Sequence, residues 1–203
     1  MAQSKGDLPV LSFASRQAWE AWLLAQPEDS PGLWLKLPKA SCREPSVAKP
    51  EAIEGALAHG WIDGQLDRYD EDWFLTRFTP RRPKSRWSAN NRRTAERLIE
   101  QGRMGPRGLL EVERARADGR WEAAYPSQSR AEVPADLQAA LDASPKAKAL
   151  FDALDATNRY AVLYRTHDAR TEKTRAARIA KFVSMLARGD TIYPRKGKGG
   201  SAD

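Results

Sequence analysis

The feature that most constrains this chain is a change of hydrophobic period near Ser85. Before it, apolar residues alternate: Leu33, Leu35 and Leu37 point one way while Trp34 and Lys36 point the other, the two-residue period of a strand. After it the spacing is three and four, as in Ala95, Leu98 and Ile99, and it stays helical to the end of the apolar sequence. A chain patterned in this way segregates its strands from its helices. The expected class is α+β, with a small, mostly antiparallel sheet and helices in the N-terminal half and an all-helical C-terminal half.

Punctuation residues place the elements. Val10 to Phe13 reads as a short strand, and Ser15 caps a helix carrying Trp19, Trp22 and Leu23. Gly32 to Leu37 is a strand, and Pro50 opens a helix that runs to about Ala58 and stops at Gly60. Ile62 to Tyr69 and Trp73 to Thr79 form a hairpin around the acidic turn Asp70, Glu71, Asp72. Pro106 begins a helix with Leu109, Val112 and Ala115 inward, ended by Gly119. Val133 to Ala143 and the segment opened by Ser144 and Pro145 follow, and Thr171 caps a last helix with Ala176, Ile179, Ala180, Val183 and Ala187 inward. Pro, Ser and Gln cluster between Tyr125 and Glu132. The organisation expected is a mixed region 1–125, a helical region 126–193 and a disordered tail 194–203 without apolar side chains apart from one alanine.

Charge is unevenly spread. The formal total is +7, but Glu51 to Asp72 carries −6, Arg77 to Arg107 carries +8 and Arg165 to Lys198 carries +7. Either the acidic and basic stretches neutralise one another, or the basic ones are left for an outside anion. One cysteine, Cys42, excludes an internal disulfide, and His59 and His167 have no second sulfur ligand, so no structural zinc is expected. No run approaches the roughly 20 apolar residues of a membrane helix, and the N-terminal residues lack the apolar core of a secretory signal. The expected compartment is the cytoplasm, without membrane insertion.

Four blocks carry a resemblance: EAIEGALAHGWIDG (Glu51 to Gly64), RFTPRRPKSRWSANN (Arg77 to Asn91), GRMGPRGLLEVERARADGRWEAAY (Gly102 to Tyr125) and KTRAARIAKFVSML (Lys173 to Leu186). Together they are similar to the bacterial YdeI/OmpD-associated family, from about Leu11 to Arg188. One departure is His59 before Gly60, where the family leads one to expect an aromatic residue. The resemblance implies bacteriocin protection, tolerance of cationic antimicrobial peptides and association with an outer-membrane porin. It brings no catalytic residue set.

The candidate ligand-binding residues lie between Trp61 and Arg93: Trp61, Asp63, Arg77, Arg81, Arg82, Arg86, Trp87 and Asn91. Guanidinium groups match the oxygens of phosphate or carboxylate, and a turn after a strand can present several of them together. The bland alternative is that the prolines shape a turn, the tryptophans fill the core and the arginines pair with the acidic hairpin. Asp63 as a general base would need a pocket shared with Arg77, Arg81 and Trp87. No GxSxG elbow exists, the glycines at 102, 105 and 108 lack the Lys-Ser/Thr of a phosphate loop, and the acidic turn lacks the spacing of a calcium loop. No cofactor is expected. The expected function is non-catalytic: a stress or peptide-tolerance protein holding a protein partner or small anionic ligand. A nucleic-acid-binding module, with steeply salt-dependent affinity, and an enzyme centred near Asp63 are the competing readings.

Overall fold

The structure is a computed structural model that describes residues 4–126, 131–169 and 171–194. The chain forms two compact units, Met1–Ala124 and Tyr125–Asp203. Most of the 126–132 connection and all of the expected tail beyond Pro194 lie outside the described residues.

The first unit holds strands β1 (Ser4–Lys5), β2 (Leu8–Leu11), β3 (Leu33–Pro38), β4 (Trp61–Arg68) and β5 (Trp73–Pro80), with helices α1 (Arg16–Ala25), α2 (Lys49–Ala58), α3 (Ala89–Glu100) and α4 (Pro106–Ala117). The strand order is β1-β2-β3-β5-β4. The sheet is mixed, which corrects the mostly antiparallel expectation. Val10 pairs with Trp34 and Leu11 with Leu35 in parallel, because α1 carries the chain back before β3 begins. The acidic turn closes the β4–β5 hairpin as expected, with Asp70 Oδ1 accepting from the amides of Asp72 and Trp73.

Register sorts the sheet into two faces. Leu33, Leu35 and Leu37 pack with Trp61 and Phe78 against Trp19 and Leu23 of α1 and Ala52 and Ala56 of α2. Trp19 is fully buried, yet its indole N–H is satisfied by the Ala52 carbonyl at 3.0 Å. The opposite face gathers Leu8, Trp34 and Leu75, flanked by Val10 and Tyr69. Lys5 of β1 and Asp67 of β4 form an ion pair although these strands end the sheet on opposite sides. The sheet therefore curls until its edges come within side-chain reach, which buries Trp34. A third cluster joins Leu57 of α2 to Trp87, Ala95, Leu98, Val112, Ala115 and Trp121, and so anchors α3 and α4.

The second unit contains α5 (Ala135–Asp142), α6 (Pro145–Asp152), α7 (Ala156–His167) and α8 (Glu172–Ala187) around Leu137, Leu141, Phe151, Val162, Phe182 and Leu186. Thr171 caps α8 as expected, its hydroxyl accepting from the Thr174 amide at 3.1 Å. The buried face of α8 is Ile179, Phe182 and Leu186, whereas Ala176 and Ala180 are exposed. The expected inward stripe is thus rotated. Phe and Leu remove more apolar area from water than alanine does, and they set the helix orientation.

Candidate functional site

The site begins where α2 meets β4. Gly60 takes a positive φ of 76°, turning the chain from the helix into the strand, and its carbonyl accepts from the Arg81 amide at 2.9 Å. This bond continues the hairpin past the Trp61–Pro80 pair and holds Trp61 and Arg81 side by side. Arg81 is only 7% exposed. Its guanidinium lies 3.6 Å over the Trp87 ring, and Nη1 donates to the Arg86 carbonyl at 3.3 Å. Trp87 is in turn held edge-on by Trp121, ring centres 4.8 Å apart.

Helix α4 supplies the facing wall. Gly105 donates its amide to the Ala58 carbonyl at 3.0 Å, and at Gly108 an added Cβ would stand 2.5 Å from that same carbonyl. The absence of a side chain lets the first turn of α4 press onto the end of α2. The spaced glycines are packing and capping residues, with Gly102, at a φ of 64°, following α3.

This close approach sets which face of α4 turns inward, and the result breaks the apolar pattern. Glu111 is buried with Gly108, Val112 and Ala115, while Leu109 and Leu110 are 38% and 40% exposed. Burying a carboxylate in preference to an available leucine costs stability unless the charge is used. Arg114 Nη1 donates to Glu111 Oε1 at 2.7 Å. The other oxygen, Oε2, is buried and has no hydrogen-bond partner among the described residues.

Between these walls lies a cleft of about 180 Å³, lined by Trp61 and Pro80 on the hairpin side, by Arg81, and by Arg107, Glu111 and Arg114 of α4. Pro27, Glu28, His59, Gly60 and Leu110 complete its lining. Arg107 Nη1 donates to the Gln26 carbonyl at 2.7 Å, and its Nε stands 3.9 Å from Glu28. Burial, reinforced by Arg107 and opposed by Glu20, pulls the His59 pKa below its usual value, so the ring is neutral near pH 7. Three arginines and two glutamates thus line the cleft, an excess of one positive charge.

The structure disperses the other expected residues. Trp87 is the platform beneath Arg81 and does not line the cleft. Arg77 pairs with Trp34 in register and shares its sheet face, opposite to Phe78. Arg82 is exposed, its amide donating to Ser85 Oγ at 2.9 Å. Arg86 contributes its carbonyl to Arg81. Asp63 accepts from Asn91 Nδ2 at 3.5 Å, the outer limit for such a bond. Of the set Asp63, Arg77, Arg81 and Trp87, Arg81 alone lines this cleft. Arg107, Glu111 and Arg114 were missed, although the sequence carries a signal: a glutamate three residues after a glycine on one helical face. Among the described residues no group of three or more His, Cys, Asp or Glu side chains could hold a metal ion, and no helix is long and apolar enough to cross a membrane.

Residues 130–189 match the family model described as bacteriocin-protection, YdeI or OmpD-associated. The C-terminal unit carries a YdeI/OmpD-associated domain. That match contains the KTRAARIAKFVSML block. Residues 11–111 match a separate model, described as a domain of unknown function, DUF8412. The WIDG and RFTPRR blocks and most of the Arg81 cleft fall within this second stretch, outside the YdeI/OmpD-associated domain. No curated protein and no solved structure matches the chain.

Proposed function

We propose that the chain is a non-catalytic cytoplasmic protein of bacteriocin or antimicrobial-peptide tolerance that binds a small anionic ligand in the Arg81 cleft of its N-terminal unit. The carrying observation is the convergence of Arg81, Arg107 and Arg114 on one small cleft, from the end of β5 and from α4. A fixed guanidinium stacked on an indole is pre-organised for a planar anion and loses little freedom on binding. The low exposure of Arg81 strengthens its attraction for an anion relative to a solvated arginine. The YdeI/OmpD-associated domain supports the physiological part of this reading, through the description of its family.

The test uses a variant with Arg107→Gln and Arg114→Gln, which alters side chains 39% and 54% exposed and leaves the buried Arg81 in place. Cells producing it should lose protection against a cationic antimicrobial peptide while the purified protein melts within a few degrees of the parent. Undiminished protection would remove the cleft from the function.

A further inference from the structure

Helix α8 carries more apolar surface than its own unit covers. Its core face is Ile179, Phe182 and Leu186, while Ala176 and Ala180 stay exposed and Val183 and Ala187 are half-buried. With Ala140 of α5, these last four line an open groove between the two helices. A surface helix whose apolar positions run beyond its core face presents a second face to a partner. We propose that the groove receives α8 of a second copy of the chain, antiparallel, with Ala180 on the twofold axis.

Charge identifies the occupant. Glu172, Ala176, Ala180, Ser184 and Arg188 follow at four-residue steps and form one ridge of the helix. The ridge is small in its middle and opposite in sign at its ends. Turned end for end about Ala180, it sets Glu172 against the partner's Arg188 and Ala176 against the partner's Ser184. Lys173 and Asp190, beside the two ends, also come together in this alignment. A parallel alignment would instead bring like charges together. Both end charges are accessible: Glu172 is exposed and has no ion pair among the described residues. Exposed Arg188 uses Nε on Asp190 and Nη1 on Ser184 Oγ, which leaves Nη2 for the partner. Alanine and serine along the contact let two helix axes approach to about 8 Å. The 16 residues of α8 present a strip about 24 Å long and about 10 Å wide. Such a contact falls short of the roughly 1,200 Å² of a standard interface, so the dimer is weak and reversible.

Sedimentation equilibrium of the full chain tests this. The parent should dimerise reversibly below roughly 1 mM. Ala180→Arg changes an exposed position and places like charges on the axis, so it should leave the chain monomeric with an unchanged circular dichroism spectrum. Glu172→Arg and Arg188→Glu should each weaken association about fivefold or more, since the pair occurs twice in a twofold dimer. Combining the two should restore it to near the parental level. A parent that stays monomeric up to that concentration would overturn the proposal, whether the groove is then idle or holds a different protein. Dimers that survive Ala180→Arg, or a double variant that associates no better than either single one, would overturn it as well.

Discussion

The guanidinium carbon of Arg81 sits 3.6 Å from the centre of the Trp87 ring, closer than any other cation in the first unit sits to an aromatic ring among the contacts described. Removing either partner has a different consequence. Trp87 is fully buried, so Trp87→Ala should lower the free energy of unfolding by about 3–5 kcal/mol in urea titrations. Arg81→Lys keeps the charge but loses the planar fork and the stacking, and should weaken anion binding about tenfold with a smaller loss of stability. Equal effects of the two changes on stability, with binding untouched, would show the pair to be packing alone.

Gly108 is where backbone meets backbone. A Cβ there would lie 2.5 Å from the Ala58 carbonyl oxygen and 2.7 Å from that of Leu57, so Gly108→Ala must push α4 away from α2. A loss of about 1–3 kcal/mol is expected, accompanied by weaker ligand binding because Arg107, Glu111 and Arg114 move together. Gly64→Ala is the control: its Cβ would meet only the Arg77 carbonyl at 3.6 Å, an ordinary contact, and stability should change far less.

Glu54 of α2 is bonded to Arg16, Arg97 and Arg103, tying α1, α3 and the loop after α3 to one carboxylate. Burial alone would raise its pKa, but the hydrogen bonds from Arg97 and Arg103 outweigh burial and hold it below 4.5. The folded state therefore binds this proton less readily than the unfolded chain. The stability it contributes is complete above about pH 4.5 and is lost as pH falls through the lower, folded value. Urea midpoints measured between pH 7 and pH 3 should fall more for the parent than for Glu54→Gln, which at pH 7 should itself be less stable by about 1 kcal/mol.

In the second unit Arg175 grips Asp136 with two parallel bonds, Nε to Oδ2 at 2.5 Å and Nη2 to Oδ1 at 2.8 Å. Its Nη1 also donates to the Thr166 carbonyl at 3.1 Å, so one side chain joins α5, α7 and α8. These bonds hold the Asp136 carboxyl below its usual range. Arg175→Lys cannot reproduce the fork and should cost about 1 kcal/mol, the modest figure reflecting the half-exposed aspartate. Chemical denaturation followed by circular dichroism would measure it.

How far the sequence carried the fold depended on how local the determining interaction was. The Asp70 turn, the Ser15 and Thr171 caps and the alternation of Leu33, Leu35 and Leu37 are decided within a few residues, and each was readable. The parallel β2–β3 pairing was not, because it depends on which edge of β3 receives β2 across the whole of α1. Helix rotations failed for a related reason. Pattern alone placed Leu109 inward, but the approach of Gly108 to α2 turned Glu111 in instead. The candidate block supplied Trp61 and Arg81 to the cleft, whereas its other wall lies about 25 residues further on, beyond what spacing in one segment can reveal.

The most direct test of the central claim is an acetate titration followed by amide resonances of the full chain. Saturable shifts should appear at Gly60, Arg81, Leu110 and Glu111, which border the cleft, and resonances of α8 should stay in place. Shifts that grow linearly without saturation, or that spread evenly over the basic surface, would contradict a built anion site beside Arg81.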